Sequence, residues 1–191
     1  MRLKKLFIVC ALVAMLLAIM GQTTLAYYTA RGQAHNVITT SGVGITLLET
    51  VDDKDTPFVD RLGVMPGQVV PKIVFVRNDE EEAFIRIRCE VVLKDASGKK
   101  MDLSEEKLAS LISLDYNQED WTWKDGYWYY GKSVATGVRT KPLFTAVEFN
   151  GRNLTNEYQN CSVEIHVDAQ AVQVKNNPGT TALTAKGWPQ A

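Results

Sequence analysis

From Cys161 onward the chain alternates: Cys161, Val163, Ile165, Val167, Ala169 and Ala171 are apolar or small, with Ser162, Glu164, His166, Asp168 and Gln170 between them. A period of two sends successive side chains to opposite sides of an extended backbone, so this run predicts a long strand with one buried and one wet face. Residues 83–91 repeat the pattern, with Ala83, Ile85, Ile87, Cys89 and Val91 on one face and Arg86, Arg88 and Glu90 on the other. Shorter strands are expected at 43–49, 72–77 and 143–149.

Two local signals complete the picture. In WTWKDGYWYY, Asp125-Gly126 suits a two-residue type I′ turn, which pairs Trp123 with Trp128 and Trp121 with Tyr130 on one side of a hairpin. Tyr127 and Tyr129 then share the other side with Thr122 and Lys124. One short helix is expected around 104–112, with Ser104 as N-cap, Glu105 and Glu106 at the positive end of the dipole, and an apolar stripe of Leu108, Leu111 and Ile112. Several strands, a short helix and polar loops at 50–60, 94–102 and 150–160 predict an all-β fold, an antiparallel β-sandwich of jelly-roll type.

The N-terminus differs in kind. Arg2, Lys4 and Lys5 precede a fifteen-residue apolar run, Leu6–Met20, followed by small and polar residues ending at Ala26. These are the three parts of a helical secretory signal peptide. A helix of that run reaches about 22 Å, short of the roughly 30 Å hydrocarbon core, although a retained anchor is the alternative. Cleavage between Ala26 and Tyr27 would divide the chain into a leader, 1–26, and one domain, 27–191. It would also take the formal net charge from −1 to −4. A mildly acidic surface argues against a nucleic-acid partner. The membrane would be touched only through the uncleaved leader. Cys89 and Cys161 remain after cleavage, and an exported chain can either bridge them or keep two buried thiols.

Catalytic patterns are scarce. The two histidines, His35 and His166, form no HExxH, and no GxSxG elbow, P-loop or GxGxxG is present. The best metal candidates are Glu164, His166 and Asp168, but alternate strand residues step by nearly 7 Å, and a solvated polar face explains them as well. Asp79-Glu80-Glu81-Glu82 reads as a charged turn. The aromatic hairpin could pack into the core or offer a sugar-stacking platform. No cofactor is expected.

The order of landmarks carries a resemblance: VGITLLE, VMPGQVVPKIVFVRND, AFIRIRCEVVL, WTWKDGYWYYGK, TKPLFTAVEF, VEIHVDAQAVQ and a closing AKGWP. With the leader end TLAYYT, this series resembles the TasA/camelysin family of exported Gram-positive bacterial proteins over nearly the whole chain. The resemblance implies a jelly-roll domain, secretion by a dedicated signal peptidase, and assembly with itself or related subunits into biofilm-matrix fibres. It also implies donor-strand exchange, with the donor in Tyr27–Thr40 and Val37 and Ile38 as its clearest apolar pair. Strand addition of this kind draws affinity from backbone hydrogen bonds and register from alternate side chains. The alternatives are a secreted camelysin-like metallopeptidase and a monomeric cell-surface module that binds polysaccharide.

Overall fold

A computed structural model of the chain describes residues 28–34, 38–39, 43–58, 62–64 and 66–189. The expected leader, its Ala26–Tyr27 junction and Val37 lie outside the described residues. Among the described residues, no helix is long and apolar enough to cross a membrane.

Among the described residues, eleven strands form two sheets, joined by one short α-helix. In chain order the strands are β1 (Tyr28–Ala34), β2 (Ile38–Thr39), β3 (Val43–Thr50), β4 (Leu62–Val64), β5 (Val69–Asn78) and β6 (Ala83–Lys94). Helix α1 (Glu105–Leu111) follows, then β7 (Ile112–Leu114), β8 (Trp121–Lys124), β9 (Tyr127–Tyr130), β10 (Phe144–Phe149) and β11 (Ser162–Gln173). One sheet runs β4-β1-β11-β6-β9-β8 and the other β2-β3-β5-β10-β7. Among the described residues every strand pairing is antiparallel except β1 with β11. The fold is all-β, and its two sheets share one core.

The alternating strands supply that core. β6 and β11 form a continuous ladder from Ala83↔Gln173 to Lys94↔Ser162. Their inward residues Ile85, Ile87, Val163, Ile165 and Val167 pack with Leu47, Val74, Val76, Phe144 and Phe149 of the other sheet. β5 is longer than its apolar run suggested. It carries Pro71 opposite Ala146, where the ladder with β10 shifts register, so the missing proline N–H falls at a bulge.

The wet outer face expected on β6 and β11 holds only at one end. Towards the other, Phe84, Arg86, Gln170 and Val172 are buried beneath the C-terminal segment, whose Ala182, Ala185 and Trp188 form a second apolar cluster with Tyr127 and Tyr129. The Arg86 guanidinium lies 3.8 Å from the Tyr127 ring centroid and 4.7 Å from that of Trp188. It donates to Gln170 Oε1 at 2.6 Å and 2.8 Å and to the Pro189 carbonyl at 3.0 Å. A cation on the outer face is thus enclosed because its five donors and flat ring faces match what the tail brings.

The expected hairpin forms in the expected register, with Asp125 and Gly126 at φ 50° and 84° as a type I′ turn requires. Helix α1 begins one residue after Ser104, whose side chain accepts from Lys107 N at 3.2 Å. It ends before Ile112, which pairs with Phe149 as the first residue of β7. The acidic run 79–82 is the turn between β5 and β6. Asp79 there accepts from Arg77 and Thr46, which hold its carboxyl below the usual range.

Candidate functional site

Among the described residues, β1 and β11 make the one parallel strand pair. Thr29 to Ala34 lie opposite Ser162 to Val167 of β11, and β4 covers the far side of β1 through Tyr28↔Val64 to Ala30↔Leu62. The sequence YTARGQA is polar, contains Gly32 and has little intrinsic strand preference. Pairing with β11 therefore supplies what propensity does not. Ile38 of the expected donor segment lies in β2, opposite Gly44.

Glu164, His166 and Asp168 occupy successive outward positions on β11. Glu164 Oε2 lies 2.7 Å from Lys94 Nζ and 3.4 Å from His166 Nε2. Asp168 accepts from Gln170 Nε2 at 3.3 Å. Among the described residues no three His, Cys, Asp or Glu side chains are placed to share a metal ion. The three candidates instead run along the strand as a polar row with neighbours of its own.

The considered Cys89–Cys161 bridge is not available in this fold. Cys89 faces Val167, whereas Cys161 precedes Ser162 at the far end of the same ladder. Six strand steps separate these positions, about 20 Å, and a disulfide spans Cα atoms no more than about 7 Å apart. Both thiols are free. Cys161 packs its sulfur 3.8 Å from that of Met101. Burial pushes the Cys89 thiol up to about 11, partly offset by a hydrogen bond with Tyr116. Burial, then the neighbouring Cys89, also raises the Tyr116 phenol.

The hairpin buries most of its rings, three in the main core and Tyr129 beneath the C-terminal segment. Trp121, Trp128, Tyr129 and Tyr130 are buried, Trp121 Nε1 donates to the Lys141 carbonyl at 3.1 Å, and Tyr116 stacks on Trp128 at 4.6 Å. Trp123 alone among the four tryptophans is more than half exposed, at 53%. It stands over a cavity of about 970 Å³ between β6, α1, β7 and the hairpin.

One wall of this cavity is an incomplete sheet. β9 pairs with β6 only at Arg86 and Ile87, after which the hairpin diverges. The edge closes again where Met101 N donates to the Leu93 carbonyl at 2.9 Å. Ala83 exchanges both backbone bonds with Val134 on that same side. Antiparallel alternation therefore directs the N–H and C=O of Cys89 and Val91 outward too, towards the cavity. Among the described residues no backbone pairs with them there. Their inward side chains are half-buried, whereas Ile85 and Ile87 further along the face are fully buried. The period-two pattern revealed the strand but not this gap, because alternation reports faces and says nothing about edges. No protein-family model and no curated protein matches the chain.

Proposed function

We propose that this chain is a secreted structural protein, a subunit or accessory component of extracellular fibres that assembles by donor-strand exchange on a jelly-roll domain. The observation that carries the reading is the parallel pairing of Tyr28–Ala34 with β11. It puts the N-terminal strand of the domain in a sheet through backbone bonds that another copy's sheet can also offer. Parallel pairing is somewhat weaker per residue than antiparallel, so release costs less than extracting β6 or β11 would. The ordered landmarks shared with the TasA/camelysin family support the same reading. Cleavage after Ala26 would free this strand from its membrane tether and so permit assembly.

The test is electron microscopy of the mature chain beginning at Tyr27. Filaments are expected, and removal of residues 27–40 is expected to abolish them. Persistent monomers of the intact mature chain, at high concentration and across pH, would count against assembly. The polysaccharide reading is disfavoured by the hairpin, which leaves one well-exposed ring where a stacking platform needs several.

A further inference from the structure

We infer that the cavity between β6, α1, β7 and the hairpin binds a single-chain amphiphile with an uncharged, hydroxyl-bearing head. The site is read from one subunit and stands apart from assembly into fibres.

Its lining grades from apolar within to polar at the mouth. Among the described residues, eight half-buried apolar side chains pack against the main core, and all of them but Phe58 line this cavity. Met101, Leu103, Leu108 and Leu114 are four of these, and buried Leu93 and Ile112 lie beside them. The two with a hydrogen to donate, Cys89 and Tyr116, are hydrogen-bonded to each other. Such a surface gains most from hydrocarbon, which removes it from water and strands no polar side chain. The polar lining residues Glu90, Lys100, Glu105, Ser113, Gln118 and Thr122 are all exposed, so they ring the entrance.

Size, connectivity and charge narrow the ligand. A cavity of about 970 Å³ is within the range of small-molecule sites, roughly 300–1,000 Å³. The β6 edge beside it is closed by β9 at Ile87 and by Met101 at Leu93, so a strand of another chain has no through path along it. Lys100 is the one cation in the lining, and its Nζ lies 2.9 Å from Glu90 Oε1. An anionic head therefore finds no spare positive charge and meets Glu105 besides. A cationic head has only Glu105 to hold it, and an exposed carboxylate is screened. Ser113, Gln118 and Thr122 each offer a donor and an acceptor, as a hydroxyl does. Hydroxyls also suit the N–H and C=O groups that Cys89 and Val91 direct towards the cavity.

The experiment titrates the mature chain with dodecyl maltoside, laurate and dodecyltrimethylammonium, each below its micelle concentration, by tryptophan emission and calorimetry. Trp123, exposed at the entrance, is the reporter. Dodecyl maltoside is expected to bind at a single saturable site with a blue shift, and laurate about threefold to fivefold more weakly. Glu105→Lys should narrow that gap. Ala109→Trp puts a large ring into the lining from an exposed position on α1. By calorimetry it should weaken dodecyl maltoside by about tenfold or more, with the urea midpoint of the protein unchanged. A response that does not saturate, or that Ala109→Trp leaves untouched, marks adsorption to the surface and overturns the inference. Tightest binding by either charged probe overturns it as well, and so does a mature chain that binds none of the three.

Discussion

Lys72 and Glu49 put a charge pair inside the sandwich, where neither ion has water to fall back on. Lys72 Nζ lies 2.9 Å from Glu49 Oε2 and 4.0 Å from the Phe58 ring centroid, and the side chains are only 1% and 6% exposed. The approach is that of an ion pair without hydrogen-bond alignment, and Glu49 Oε1 and Thr50 Oγ1 are buried with no hydrogen-bond partner among the described residues. Desolvation of both ions offsets much of their attraction, so the pair adds little net stability. Removing one partner, however, strands the other. Lys72→Met alone is expected to cost about 3–5 kcal/mol in urea denaturation, whereas Lys72→Met with Glu49→Leu is expected to be near neutral or stabilising. A single variant as stable as the double would refute the coupling. Cys89 makes a second residue-scale prediction. Its thiol titrates near 11 instead of the ordinary 9.0, so at pH 8 the reactive thiolate is about 100-fold scarcer than in an unfolded chain. Alkylation by iodoacetamide followed by mass spectrometry should be slow at Cys89 in the native protein and ordinary in denaturant.

At the scale of elements, the hairpin is the clearest case of local chemistry deciding geometry. Asp125 and Gly126 both adopt positive φ, which L side chains avoid and glycine accepts. Nothing lies within 4 Å of a Cβ built at Gly126, so Gly126→Ala tests backbone strain free of any clash. The expected loss is about 1 kcal/mol by urea denaturation, with the Trp121–Tyr130 pairing retained. Strand identities were legible for a similar reason: side-chain alternation in β6 and β11 is a local property. Strand limits were less so. The strand expected at 72–77 starts at Val69 in the structure, because the Pro71 interruption is absorbed by a bulge shared with β10. That accommodation belongs to the partner strand, and no property of residues 69–78 announces it.

Across the whole molecule, stability should follow a broad dome in pH. Hydrogen bonds hold several carboxylates below their ordinary values: Thr56 at Asp52, Arg139 at Asp55, Arg77 at Asp79, Lys100 at Glu90 and Ser97 at Asp95. A folded value below the unfolded one means the folded state binds fewer protons. Their contribution is therefore present above the ordinary values, 3.8 for the aspartates and 4.5 for Glu90, and is lost as pH falls below them. Cys89 works in the opposite sense. Its raised folded value favours the protonated native state, a contribution fully present below 9.0 and lost as pH rises towards about 11. Urea midpoints should therefore be nearly level from about pH 5 to pH 9 and fall on both sides. A midpoint that rises below pH 3.8 would contradict the acid limb.

The chain's own sequence determined that β3, β5, β6, β10, β11 and the hairpin are extended, which face of β6 and β11 is apolar, the turn that closes the hairpin and the serine that starts the helix, whereas β1, β2, β4 and β7 take their place from their partners. The former all depend on neighbours a few residues apart, and local sterics and periodicity are enough to set them. Only the tertiary structure decided that the tail from Val174 to Pro189 covers half of an outwardly polar face through Arg86. It also decided that Cys89 and Cys161 lie at different points of one ladder, and that β6 outruns β9 to leave a gap beneath Trp123. Each of these outcomes depends on how far apart in space two remote segments come to lie. That distance is set by sheet order and strand length together, which no single stretch of residues contains.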